Sequence, residues 1–295
     1  MLWQAGPETA QGEQGMQWKG RRGSGNIEDR RRMGGVGGGA IGGVGLIAVL
    51  VIGYFLGIDV TPLLQDSGGQ GGQTAELSAA DEQAGQFVSV VLADTEEVWA
   101  QVLPEQAGLS YAPPVLVLYS GVTRSPCGGA SGATGPFYCP GDQKIYLDTD
   151  FFATLSRQLG AGGDFAAAYV VAHEVAHHVQ DELGILGEAN RIRQQSSQAQ
   201  SNAISVRIEL QADCFSGIWA KQAQAMFGTL ESGDLEEAVN AAHRIGDDTL
   251  QRNAGRTPMP HTFTHGTSKQ RADWFMRGYR SGDMGQCDTF AARKL

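Results

Sequence analysis

The chain has 295 residues, 41% hydrophobic and 18% charged, and carries a net charge of −10 from 22 Lys+Arg against 32 Asp+Glu. Those proportions exclude a wholly disordered chain and a multi-span membrane protein, and leave room for one sizeable domain with an appendage. The acidic balance argues against a partner whose phosphates must be neutralised, so nucleic acid is not expected as a ligand.

The appendage is expected at the amino terminus, because 20 of the 42 glycines fall in the first 75 positions. Residues 1–33 read as a basic tail: after Met16, a second candidate start, come Lys19, Arg21, Arg22, Arg30, Arg31 and Arg32 against only Glu28 and Asp29. Residues 34–58 hold no charge over 25 positions, long enough for one transmembrane helix, which needs about 20 apolar residues. The next basic residue is Arg124. That asymmetry predicts a single-pass anchor with a cytoplasmic amino terminus and an extracytoplasmic domain. A cleavable signal peptide is the rival reading, weakened by the absence of an A-x-A site after the apolar run. Residues 59–75 read as a flexible Gly/Gln linker.

Residues 76–295 remain for one core. The spacing predicts a helix over 77–103 ended by Pro104, a buried strand over 114–123, and a second strand over 143–150 whose Asp150 caps the following helix. Alanine-rich helices are expected over 164–182 and 198–227, and a third near 268–280. The class is α+β, dominated by helices in its second half. Cys127 and Cys139 bracket a Gly/Pro/Ser loop, and Cys214 and Cys287 are left as a second pair. Two disulfides in an oxidising compartment are expected, although three pairings are formally open and four buried thiols are the plainer alternative.

Chemistry concentrates in AAAYVVAHEVAHHVQDELG, residues 166–184, which contains His173-Glu174-Val175-Ala176-His177. On a helix, positions i and i+4 share a face, so both imidazoles can reach one ion. Glu174, turned about 100° from His173, falls beside that ion, placed to take a proton from an attacking water. One zinc per chain is expected. His178 points off this face and reads as structural.

A catalytic zinc needs a third protein ligand and one open position. The continuation H-x-x-G-x-x-H fails, since Gln180 and Leu183 stand where glycine and histidine would be. Downstream, Glu209 and Asp213 again lie i and i+4. Glu209 is the candidate third ligand, and Asp213 the acceptor that fixes a ligand imidazole; Glu182 and Glu188 are fallback ligands. In PMPHTFTHGTSKQRADWF, His265 is the favoured donor to a transition-state oxyanion, ahead of His261 and Arg271, with a capping box expected from Thr267 to Gln270. Tyr146 and Tyr169 are further candidates that read more readily as core. The KIYLD strand is a candidate edge for pairing with an extended peptide.

With these residues in hand, the chain resembles the bacterial neutral zinc metallopeptidases, the YpfJ-like proteins. The resemblance is carried by WKGRRGSGNIEDRRR, PCGGASGATGPFYCPGDQKIYLD, AHEVAHHVQ, SVRIELQADCFSGIWA and HTFTHGTSKQRADWF. It implies a zincin-like, minigluzincin-type peptidase domain on a single-pass anchor in the bacterial cell membrane. The implied ligands are His173, His177 and Glu209, with Glu174 catalytic and a protein or peptide as substrate. The Glu209/Asp213 helix and the later His-Gly-Thr-Ser are also similar to the HtpX-like membrane peptidases, which places His265 or Arg271 near the site. The rival classes are a silent zincin-fold binding protein of the envelope and a structural zinc protein; the second would need a fourth protein ligand.

Overall fold

The computed structural model describes residues 15–32, 76–131 and 135–295. Its elements run β1 (Ile27–Asp29), α1 (Ala79–Ala107), β2 (Val115–Tyr119), β3 (Val122–Ser125), β4 (Gly128–Ser131), β5 (Phe137–Cys139), β6 (Lys144–Asp148), α2 (Asp150–Arg157), α3 (Asp164–Glu182), α4 (Ile185–Arg193), α5 (Gln198–Phe227), α6 (Asp234–Arg244), α7 (Asp247–Asn253) and α8 (Ser268–Ser281). The main sheet has the order β1-β2-β6-β5, and β3 and β4 pair as a separate hairpin. β1, β2 and β6 are parallel; β5 joins β6 antiparallel and forms an edge among the described residues. β2 and β6 bury four of their five positions each, as strands covered on both faces do.

α3 is the centre of the molecule. It contacts α1, α4, α5, α6, β5 and β6, and every residue from Phe165 to Ala176 is buried. Its run of alanines fits that position, because a helix apolar all round must be enclosed on all sides. α8 lies along α5 at very close range: a Cβ added to Gly217 would sit 2.0 Å from the Phe275 carbonyl, and one added to Gly278 would sit 1.8 Å from that of Cys214.

The basic segment is not a separate tail, and that expectation is corrected. Ile27, Glu28 and Asp29 pair in register with Leu116, Val117 and Leu118. Met16 is buried, and Trp18 meets Phe87 edge-on at 5.5 Å. Arg21 makes a two-pronged ion pair with Asp94 on α1 at 2.6 and 2.7 Å. Arg22 pairs with Glu97 at 2.7 Å, and Asn26 donates to Glu96 at 2.8 Å. Arg31 pairs with Asp29 at 2.7 Å and donates to the Asp81 carbonyl. Of the arginines read as a topological signal, Arg21, Arg22 and Arg32 pair with carboxylates of α1, and Arg30 and Arg31 with Glu28 and Asp29 of β1.

Arg32 lies 3.3 Å from Glu82 in the first turn of α1. The proposed span and linker themselves lie outside the described residues, apart from which no helix is long and apolar enough to cross a membrane.

Four local expectations are also adjusted. α1 runs through Pro104, which forgoes one hydrogen bond near the helix end, and stops at Gly108 in the left-handed conformation. The expected strand over 114–123 is broken at Gly121, φ 80°, into β2 and β3. Asp150 is the first residue of α2 and not its cap; the capping position, Thr149, makes no side-chain bond, and the Asp150 amide donates to the Asp148 carboxylate at 3.0 Å. KIYLD is an interior strand, and the edge beside it is β5.

Candidate metal centre

α3 and α5 pack against each other and bring His173, His177 and Glu209 together, their candidate ligand atoms within 4.8 Å of one another. His173 Nε2 lies 3.1 Å from one Glu209 oxygen, and His177 Nε2 lies 3.6 Å from the other. Glu174 is buried and lines the same cavity of about 540 Å³, along with His265 and Arg271.

The other imidazole nitrogens fix which tautomers face the cluster. His173 Nδ1 is 2.9 Å from an Asp213 oxygen, which can only accept, so Nδ1 carries the proton. His177 Nδ1 is 2.9 Å from Gln180 Oε1. The amide is oriented by Gln180 Nε2, which donates to the Ile208 carbonyl and to Gln211 Oε1. Both Nε2 lone pairs are thereby left for a cation. Asp213 is itself held by Arg271 through Nε and Nη2 at 2.9 Å each and by the Tyr169 hydroxyl at 2.5 Å.

The titration directions show what charge the cluster lacks. Burial pushes His173 down, but Asp213 and Glu209 outweigh it and hold the imidazole up at about 9. Burial pushes Glu209 up, yet His177, His265 and His173 outweigh it and hold the carboxyl well below the ordinary range. Asp213 is likewise brought to about 2, chiefly by Arg271 and His173 against its burial. Burial raises Glu174, against the pull of His177 and His173, the direction a proton acceptor working near neutrality needs. An anionic Glu209 facing two imidazole Nε2 atoms, one of which carries a proton in a cation's absence, fits a cation bound in that proton's place. Two nitrogens and one carboxylate with a position to spare fit zinc.

His265 lines the cavity with its side chain 48% exposed, and its Nδ1 lies 3.2 Å from Asp247. Arg271 is buried and serves Asp213 instead of pointing freely at substrate. His261 sits in a single 3-10 turn, Pro260–Thr262, and is not among the cavity-lining residues. The fallback ligands are committed elsewhere: Glu182 accepts the Ala112 amide at 3.0 Å, and Glu188 pairs with Arg191 at 2.6 Å. His178 is structural, bonded to Tyr138 and the Ala112 carbonyl. Tyr146 donates to Asp142 at 2.7 Å and stacks on Phe137. The capping box at Thr267 and Gln270 forms. The disulfides pair Cys127 with Cys139 and Cys214 with Cys287.

Sequence reasoning missed Asp247, Gln180 and Gln211, polar residues whose partners come from other parts of the chain. Only Gln180 left a trace, one helical turn beyond His177. A second carboxylate group, Asp164, Asp234 and Glu237, accepts backbone amides of Met16, Glu231 and Phe165 respectively.

Fold and site together bring two histidines and a glutamate from two packed helices into a cluster that could hold a metal ion, with a buried carboxylate beside it. Residues 16–290 match the family described as "Putative neutral zinc metallopeptidase". The chain is 48% identical over 288 residues to the uncharacterised protein YpfJ of Escherichia coli (strain K12), covering 93% of this chain and 99% of that protein. It is 43% identical over 210 residues to an uncharacterised protein of Mycobacterium tuberculosis (strain H37Rv), 68% of each. The chain therefore belongs to the neutral zinc metallopeptidase family. No solved structure matches it significantly.

Proposed function

We propose that the chain is a zinc-dependent endopeptidase of an extracytoplasmic compartment. The observation that carries the reading is the cluster of His173, His177 and Glu209, with both Nδ1 protons engaged behind it and Glu174 buried alongside. Zinc, when bound, supplies Lewis acidity toward the scissile carbonyl and makes a water acidic enough to ionise near neutral pH. His173, His177 and Glu209 hold that ion. Glu174 accepts a proton from the attacking water and passes it to the leaving amine. His265, oriented by Asp247, donates to the oxyanion. The free edge of β5 lies beside the cavity, where Tyr138 is also a lining residue, and suits an extended peptide joining by main-chain hydrogen bonds.

Two disulfides in one chain support that compartment, because they persist outside the reducing cytosol. The basic segment shares that compartment because it is part of the domain.

The test is zinc content and peptide hydrolysis of the full chain beside Glu174→Gln. Wild type is expected to hold about one zinc and cleave peptides; the variant keeps the zinc and loses at least about 100-fold in kcat. A variant as active as wild type removes Glu174 from the role.

A further inference from the structure

The amides behind His177 lead, link by link, to the carboxy-terminal disulfide. His177 Nδ1 donates to Gln180 Oε1 at 2.9 Å, Gln180 Nε2 donates to Gln211 Oε1 at 2.9 Å, and Gln211 Nε2 donates to the Cys287 carbonyl at 3.1 Å. Gln180, Gln211 and Cys287 are 0%, 5% and 0% exposed. Cys287 is bonded to Cys214, the residue after Asp213, which holds the other ligand imidazole. The two imidazoles are thus oriented from adjacent points on α5, one through Asp213 directly and one through the Gln211–Gln180 pair.

We infer that Gln180, Gln211 and the Cys214–Cys287 disulfide are positioning elements of the metal centre, and that tight zinc binding requires that disulfide. The reading rests on the zinc site proposed above. An imidazole can present either nitrogen to an ion, and only an acceptor held behind Nδ1 keeps Nε2 forward. Gln180 is such an acceptor while its own amide is pinned. Gln211 pins it from one side and is in turn pinned by a carbonyl outside α5.

That carbonyl lies in the 3-10 turn Met284–Cys287, close to the chain end and packed against α5 and α8. The region is held to α5 by the disulfide, by Gln211 itself, and by Arg207, which bonds the Thr289 and Ala292 carbonyls and accepts from Thr289 Oγ1 at 2.7 Å through its own carbonyl. With Cys214 and Cys287 unlinked, Thr289 still tethers the segment, so the site loosens without being abolished.

Zinc affinity of the full chain, measured by competition with a chromophoric chelator, tests this in four variants: Cys214→Ser with Cys287→Ser, Gln211→Met, Gln180→Met, and the paired serines combined with Gln180→Met. The first three are expected to bind zinc about 10–100-fold more weakly than wild type. The combination is expected to be no weaker than Gln180→Met alone, because both changes cut one chain of contacts. Losses that simply add would assign the disulfide a general structural role and overturn the inference. So would paired serines, folded by circular dichroism, that stay within about twofold of wild type. Should the paired serines fail to fold, Gln211→Met, with the disulfide intact, decides on the same criterion. A wild type that binds no zinc refutes the metal-site reading itself, whereas tight wild-type binding with unchanged variants refutes only this inference.

Discussion

Asp247 holds the loop before α8 from several directions at once. One oxygen accepts the amides of Thr264, His265 and Gly266 at 2.7, 2.6 and 3.0 Å, and the other faces His265 Nδ1 at 3.2 Å. The imidazole is therefore aimed before substrate arrives, which is what makes a donor effective toward developing charge. His265→Ala is expected to lower kcat by about 100-fold with zinc content unchanged; a kcat close to wild type would move the oxyanion role elsewhere. Asp148 makes a different point about single residues. Its carboxylate accepts the Gly121 and Asp150 amides, yet burial pushes it up to about 6. A raised carboxyl binds its proton more tightly in the folded chain, so its contribution grows as pH falls through about 6 towards its unfolded value of about 4 and is lost as pH rises again. Asp148→Asn lacks that response, so wild type should gain stability relative to the variant from pH of about 7 to about 4 in urea unfolding. A constant gap would show that Asp148 titrates normally.

At the scale of elements, the site is a product of helix packing. α3 supplies two ligands and the base, α5 the third ligand and Asp213, and α8 the arginine that anchors Asp213. The α5–α8 contact depends on two glycines whose missing side chains let backbone meet backbone. Gly278→Ala has no flexible side chain to push aside, only the Cys214 carbonyl. It should cost about 2–3 kcal/mol of stability, at the upper end for overpacking, and should also weaken zinc binding by shifting Arg271 and Asp213. A variant with wild-type melting would mean that the two helices sit further apart than described.

For the whole molecule, the consequential feature is that a segment 50 residues upstream of α1's first turn is built into the sheet. β1 covers the β2 edge, and Arg21, Arg22 and Arg32 are matched to carboxylates of α1. Such an arrangement demands that both parts fold in one compartment. Gly25→Cys has open space for its side chain, and Gln198→Cys lies at the exposed start of α5. In intact cells both should react with a membrane-impermeant thiol reagent, or neither should. Labelling of one alone would refute the packing of residues 15–32.

The local chemistry was readable from the sequence wherever one helix carried it. His173, Glu174 and His177 follow from a four-residue spacing, Glu209 and Asp213 from another, and α3 and α5 begin and end where their alanine-rich patterns do. Helical geometry is a property of neighbours in the chain, so neighbours suffice to predict it. The pairing of Cys214 with Cys287 was open until the fold closed 73 residues of separation. Asp247 behind His265, the Gln180–Gln211 relay, β5 as the edge and the docking of the basic segment all depend on contacts between distant residues. The arginines show why most plainly: a cluster of positive charge has the same composition whether its partners are lipid headgroups or the carboxylates of a helix, and only the tertiary structure brings those carboxylates within 3 Å.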